Sequence, residues 1–241
     1  MTKAVTSMTI HDVDHYTEEE RQTIIDSYPS HERKARAEGI PQLGSGRIFP
    51  IDEDFLKEPA PILATEWARI AGIDFGWDHP SAVAWIAWDR DADVYHLYDC
   101  YKQKEQTPVI HAAAMKPRGE WIPVAWPHDG YQHDKGSGKA LRDQYKDQGV
   151  NMLDEHATWE SGGNGVEAGI QMMMDLMQTG RLKVAEHLHE WFAEFRLYHR
   201  KDGKIVKEYD DLMAATRYAL MMMRHASTAP SENTLEFTSE W

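Results

Sequence analysis

Hydrophobic positions are distributed unevenly along the 241 residues. Up to about residue 66 they follow no sustained period. Thr17-Glu18-Glu19-Glu20 is a capping-box pattern that opens a short helix, and Ser27-Tyr28-Pro29 must end it. A second short helix is expected over 30–37, stopped by Gly39. Pro41, Gly44-Ser45-Gly46, Pro50, Pro59 and Pro61 then read as an extended connector. The apolar residues are too sparse to offset the entropy of ordering such a stretch. Residues 1–66 are therefore expected to form a linker or docking arm that packs on a neighbour.

From Trp67 onward the pattern tightens. Arg69-Ile70-Ala71-Gly72-Ile73-Asp74 reads as a strand ending in a carboxylate, 81–88 is an apolar run, and 94–101 alternates as a third strand. Short turns separate them, so the three form an antiparallel meander. A helix over 108–115 follows, then a short strand at 121–126 that runs into Pro127-His128-Asp129-Gly130. A helix over 137–148, a strand at 150–153, a helix over 165–178, a strand at 181–184 and helices over 188–198 and 210–224 complete the series. In the 165–178 helix, Val166, Ile170, Met173, Met174 and Met177 share one face. This order predicts an α/β domain over 67–226: a mixed sheet, with a three-strand antiparallel meander joined to parallel strands by crossovers and helices on both faces. The tail, 227–241, is expected to be flexible.

Composition narrows the class. A single cysteine, Cys100, rules out an intramolecular disulfide and a cysteine-built zinc site. No apolar run approaches the roughly 20 residues of a membrane span, and the N-terminus has no secretory apolar core, so no membrane partner is expected. Twenty-six Lys and Arg against 40 Asp and Glu give a net charge of -14. Such acidity argues against a general nucleic-acid coat, whose binding depends on cations that displace counterions.

The acidic positions carry the candidate chemistry. Asp74 closes the first strand, Asp129 the fourth, and Asp210-Asp211 opens the last helix. If the first and fourth strands are parallel neighbours, their carboxyl ends bring Asp74 and Asp129 together, and the last helix can add a third carboxylate. Such a cluster repels itself unless it holds a cation, and hard oxygen ligands favour Mg²⁺ or Mn²⁺. Two such ions can activate a water and stabilise the leaving oxygen in phosphodiester cleavage. Each residue also has a plainer role: Asp74 and Asp129 as turn residues, Asp210 as helix N-cap, and Asp211 as a favourable charge in the first turn. His128 and His133 flank Asp129 as possible supporting residues or as surface histidines. Lys135, Lys139, Arg142 and Lys146, spaced i, i+4, i+7 and i+11, would line one face of the helix that follows Asp129 and could hold a DNA backbone. Asp134, Asp143 and Asp147 nearby make a solvated mixed-charge face the competing reading.

Three segments, Ile70-Ala71-Gly72-Ile73-Asp74-Phe75-Gly76, Val124-Ala125-Trp126-Pro127-His128-Asp129-Gly130 and Tyr209-Asp210-Asp211-Leu212-Met213-Ala214-Ala215-Thr216-Arg217-Tyr218-Ala219, together resemble the nuclease domain of the large terminase subunit of headful-packaging tailed phages. Leu43-Gly44-Ser45-Gly46-Arg47-Ile48-Phe49-Pro50 resembles the segment that joins the packaging ATPase to that nuclease. The resemblance covers about residues 10 to 225. It implies an RNase H-like fold and a two-metal endonuclease that cuts concatemeric double-stranded viral DNA. It also implies an ATPase domain, a small terminase subunit and a portal protein as partners, in the host cytoplasm at the procapsid. The family often ends in His-Asp-Asp-x-x-Asp-Ala; here Tyr209 stands at the His and Ala214 at the later Asp, which leaves Asp210 and Asp211 as alternatives for the third ligand.

Other patterns carry less. Gly136-Ser137-Gly138-Lys139-Ala140 lacks the first glycine and the Ser or Thr of a Walker loop, so no ATPase motif is present. Gly72-Ile73-Asp74-Phe75-Gly76 also resembles the phosphate turn of actin-like sugar kinases, which need a second such strand and turn and would bind ATP with Mg²⁺. A non-catalytic module docking on a portal or other partner is the third reading. It predicts no effect of Asp74→Asn on DNA cleavage.

Overall fold

The structure is a computed structural model and describes residues 9–28, 33, 36–39, 46–133 and 138–230. The expected 30–37 helix falls largely outside these residues, as do Leu43-Gly44-Ser45 and Lys135.

Six strands make one sheet: β1 (Lys57–Glu58), β2 (Ala68–Asp74), β3 (Ser81–Asp89), β4 (Val94–Gln103), β5 (Val124–Ala125) and β6 (Leu182–Ala185). Their order is β1-β6-β4-β3-β2-β5. The pairs β2–β3 and β3–β4 are antiparallel, whereas β2–β5, β4–β6 and β1–β6 are parallel. The meander and the parallel neighbours are thus as expected. The strand expected at 150–153 is reduced to one bridge between Met152 and Val124. A small hairpin, β7 (Arg200–Lys201) with β8 (Lys204–Ile205), leads toward the last helix.

Alternation along β2 divides the core, because successive side chains point to opposite faces. Ala71 and Ile73 join Val83, Trp85 and Tyr145 under helices α3 (Pro108–Met115) and α4 (Leu141–Asp147). Ile70 joins the opposite core, with Ile86 and Leu97, under α5 (Val166–Gln178), α6 (His189–Leu197) and α7 (Asp211–Met221). Gly72 lies on that second face, where an added Cβ would come within 2.0 Å of the Ala215 carbonyl oxygen and 2.6 Å of the Ala219 nitrogen. Only a residue without a side chain lets α7 lie this close to the sheet.

Packing does not break at residue 66. Ile48, Phe49 and Leu56 are buried in the α5–α7 core, and Phe49 stacks on Phe195 with ring centroids 6.0 Å apart. Asp52 caps a short helix, α2 (Glu53–Leu56), and β1 adds an edge to the sheet. Few apolar residues suffice here because each enters a core already formed by other elements, a fact the local sequence does not carry. Farther out, α1 (Glu18–Asp26) has the expected capping box: Thr17 accepts from the Glu20 amide at 3.3 Å, and the Thr17 amide donates to Glu20 at 2.8 Å. At the other end Ser227 pairs with Arg69, its amide donating at 3.1 Å and its carbonyl accepting at 2.7 Å.

Candidate metal and nucleic-acid site

The carboxyl end of β2 is where the acidic residues converge. Asp74 shares the face of Ile70 and Gly72, so its side chain lies on the side covered by α7. Register extends this row across the sheet: Asp74 is paired with Ala82, and Ala82 with Lys102. Asp211 contacts Lys102 at one end of the row and His79 in the loop beyond the other. Its Oδ2 is 2.9 Å from Lys102 Nζ, and its Oδ1 is 3.0 Å from His79 Nδ1. Among the described residues, Asp74, His79 and Asp211 form the group of His, Cys, Asp or Glu side chains whose ligand atoms all lie within 4.8 Å of one another.

Helix α7 presents Asp211 because its N-terminus is held from outside. Asp210 is the N-cap residue by position, yet its side chain makes no cap hydrogen bond. The buried Glu194 of α6 accepts from the Leu212 amide at 2.7 Å instead, satisfying one of the helix's orphan donors. Glu194 also pairs with Lys102, whose ammonium therefore lies between two carboxylates. Tyr209, just before Asp210, has φ of 58°, a left-handed conformation costly for a bulky residue.

Electrostatics follow from this crowding. Burial, then the charge of Asp211, pushes the Asp74 carboxyl up to about 7, with Asp210 adding to the rise and His79 and Arg217 opposing it. Burial and Asp211 likewise raise Asp210, against the pull of Lys207. Burial lowers Lys102, but its hydrogen bonds to Glu194 and Asp211 prevail and raise it. Ionised acids forced together out of water resist ionisation, which is the condition a bound cation relieves.

Asp129 is differently placed. It lies in the 3-10 turn His128–Tyr131 beyond β5, is exposed, and stands outside the 4.8 Å group. It faces the same corner: the Tyr218 phenol of α7, raised chiefly by burial, is raised further by Asp74 and by Asp129. The structure thus gathers Asp74 and Asp211 tightly, with Asp210 and Asp129 in the surrounding field. His128 packs against His156 at 5.0 Å between ring centroids and against Tyr131 at 5.4 Å, while His133 bridges to Ala140.

The basic stripe takes another form. Helix α4 begins at Leu141 and not at residue 137, so Lys139 precedes it and only Arg142 and Lys146 ride on it. Pairing is extensive: Lys139 with Asp147, Arg142 with Asp143, and Lys146 with Asp154. A single cationic helix face is therefore not formed by the described residues.

Three contributors escaped sequence reasoning. His79 sat in the Gly76-Trp77-Asp78-His79-Pro80 turn cluster, five residues after Asp74, and that proximity was its one signal. Lys102 and Glu194 had none, because their meeting depends on strand register and on the packing of α6 against α7.

The family model of the terminase RNase H-like domain matches residues 71–223, a span that includes Asp74, Asp129, Asp210 and Asp211. The chain belongs to that family. A second model, the N-terminal part of the large terminase subunit of the T4-like-virus type, matches residues 1–54. The large terminase subunit of Salmonella phage P22 is 51% identical over 223 residues, covering 92% of this chain and 45% of that protein. That of Enterobacteria phage LP7 is 51% identical over 219 residues, 90% of this chain and 46% of its own length. The chain spans a little under half the length of these curated relatives. The solved structure of the P22 large terminase nuclease domain superposes with a TM-score of 0.72 at 49% identity, over 77% of this chain and 96% of that one. The SPP1 large terminase nuclease domain with bound Mn shares the fold, with a TM-score of 0.50 at 16% identity over 69% of this chain and 95% of that one. The resemblance drawn from the motifs and the RNase H-like terminase fold are thus borne out. No described helix is long and apolar enough to cross a membrane.

Proposed function

We propose that this terminase-family chain is a metal-dependent endonuclease that cuts concatemeric double-stranded viral DNA during genome packaging. The observation that carries this reading is the Asp74–His79–Asp211 group at the carboxyl end of β2, where burial and the charge of Asp211 hold the Asp74 carboxyl up at about 7. Its oxygen-rich donor set fits Mg²⁺ or Mn²⁺, and the added imidazole nitrogen is acceptable to Mn²⁺. Asp74, Asp129 and one of Asp210 or Asp211 hold two ions, and His79 completes or orients the set. Bound there, the ions supply the Lewis acidity that the developing charge of a cleaved phosphodiester needs.

The chain's own residues do the positioning. Gly72 lets α7 descend until Asp211 meets Asp74, Glu194 fixes the helix N-terminus, and Lys102 keeps Asp211 from being an uncompensated buried charge. Asp129, on its exposed turn, faces the substrate side. Lys135, Lys139, Arg142 and Lys146 are the proposed DNA-backbone contacts, with His128 and His133 supporting Asp129. The net charge of -14 then makes free DNA affinity weak and salt-sensitive. On this reading the nuclease domain is built on 67–226, and the described residues 46–66 belong with it, since Ile48, Phe49 and Leu56 enter its core and β1 joins its sheet. The partners on this reading are the ATPase domain, the small terminase subunit and the portal, in the host cytoplasm at the procapsid.

The test is a supercoiled-plasmid assay with Mn²⁺, with and without EDTA, comparing wild type, Asp74→Asn and Asp129→Asn. Metal-dependent cutting lost in both variants supports the assignment. Equal activity in wild type and either variant overturns that residue's role.

A further inference from the structure

The loop that presents His79 to Asp211 is closed from the opposite face of the sheet. Between the end of β2 at Asp74 and the start of β3 at Ser81 the chain reverses direction. The turn is tight: a Cβ added at Gly76 would stand 2.3 Å from the His79 carbonyl oxygen, 2.6 Å from His79 Nδ1 and 2.6 Å from the Pro80 carbonyl oxygen. The imidazole thus lies against Gly76, and any side chain there would push it away. The His79 side chain is itself 59% exposed, so its aim depends on the loop backbone and on Asp211, not on burial.

Ser81 supplies the closure. Its hydroxyl donates to the Gly76 carbonyl at 2.9 Å and accepts from the Gly76 amide at 3.0 Å, so one side chain satisfies both backbone groups of one residue. It is 2% exposed, and the buried Tyr145 phenol of α4 reaches it. Strand alternation explains the placement. Ala82 is paired with Asp74 and shares its face, so Ser81, one residue earlier, points to the other face, that of Val83 and Tyr145. The Trp77 carbonyl accepts from the Glu105 amide at 3.2 Å and ties the middle of the loop to the chain just beyond β4. Burying a hydroxyl is costly unless it is hydrogen-bonded, and here the bonds go to the residue against which His79 rests.

We infer that Ser81 is a positioning residue of the metal site: its hydroxyl holds the 76–80 loop shut, and the loop keeps His79 Nδ1 within ligand distance of Asp74 and Asp211. This rests on the metal-site reading above, in which His79 belongs to the donor set. With its proton on Nε2, the imidazole offers the Nδ1 lone pair to a cation. Groups that orient a ligating imidazole contribute roughly 10–100-fold to metal affinity. Ser81 does this from the far face of the sheet, through the backbone of Gly76.

The test is Mn²⁺ binding by the full chain. It is followed by loss of the free-ion electron paramagnetic resonance signal and by the nitrogen modulation that an imidazole ligand imprints on the spin echo of bound Mn²⁺. Wild type should show that modulation and His79→Ala should lose it. Ser81→Ala should weaken Mn²⁺ binding about tenfold and lose most of the modulation, and Ser81→Thr, which keeps the hydroxyl, should recover most of both. Adding Ser81→Ala to His79→Ala should weaken binding less than about twofold further, because a residue that acts through another is not additive with it. Unchanged affinity and modulation in Ser81→Ala overturns the positioning role alone. A loss repeated in full in the His79→Ala background also overturns it, making Ser81 a general support of the fold. Wild type that binds Mn²⁺ without nitrogen modulation removes His79 from the donor set, and the role of Ser81 with it, while the carboxylate site stands. Wild type that binds no Mn²⁺ overturns the metal-site reading as well.

Discussion

The two sides of the candidate site are built by different means. Asp74 and Asp211 are brought together by regular structure: a sheet register that aligns Asp74, Ala82 and Lys102, a glycine that admits a helix, and a buried glutamate that holds the helix end. Asp129 sits on a four-residue 3-10 turn, exposed, with its backbone carbonyl accepting from the Gln132 amide at 2.9 Å. The first side pays for its proximity in electrostatic repulsion, whereas the second keeps its carboxylate in water. One half of the candidate site is thus fixed by folding, and the other stands on an exposed turn.

That contrast can be broken most severely at Gly72. Gly72→Val should cost more than about 4 kcal/mol in denaturant unfolding, because its Cβ meets the α7 backbone and not a movable side chain. A loss below about 1 kcal/mol would mean that α7 can lift without cost.

Asp74→Asn should act in opposite directions on stability and activity. The folded carboxyl titrates near 7, above its ordinary 3.8, so its ionisation penalises the metal-free fold. The penalty is absent below the unfolded value, grows as pH rises, and is complete above pH 7, where it reaches up to about 4 kcal/mol. The variant should therefore be the more stable protein at pH 8 without metal, with the advantage shrinking to nothing near pH 4. Cleavage should fall by about two orders of magnitude or more. Added Mn²⁺ should raise the melting temperature of wild type more than that of the variant.

Lys102→Met tests the same half from its cationic end. With Glu194 and Asp211 left facing each other, unfolding free energy should drop by about 3 kcal/mol at pH 8 and recover partly in acid, as burial already raises Glu194. The smallest effect belongs to the open half: Asp129→Asn should change stability by less than about 0.5 kcal/mol while removing metal-dependent cutting. A large loss of stability there would show Asp129 to be as built-in as Asp74.

The contrast also explains what could be read from the chain. The β2–β4 meander, the β5 crossover and the helix faces were legible because period-two and period-3.6 patterns record burial directly. That Asp74 closes a strand and Asp210-Asp211 opens a helix was legible because strand ends and helix starts are local; Asp129 does not close its strand, since β5 ends at Ala125 and a 3-10 turn carries Asp129 beyond it. Lys102 and Glu194 were not, since their approach depends on β3–β4 register and on how α6 leans on α7. The span of α4 was misjudged by four residues at its start, where Gly138 with φ of 68° turns the chain before the helix begins. Phe49 and Leu56 were placed in an arm for lack of apolar neighbours in sequence; their neighbours are in space.

The pairing of Ser227 with Arg69 has a practical side. Arg69 lies near the start of β2 and Asp74 at its end, so Ser227 sits at the rim of the sheet far from Asp74. Five residues of strand, about 16 Å, separate that rim from the carboxylates. If DNA is cut at the carboxylates as proposed, a biotin tag, a fluorophore or a tether to a bead joined directly after residue 227 starts at the opposite end of the strand from them, which suits a handle for watching single cleavage events.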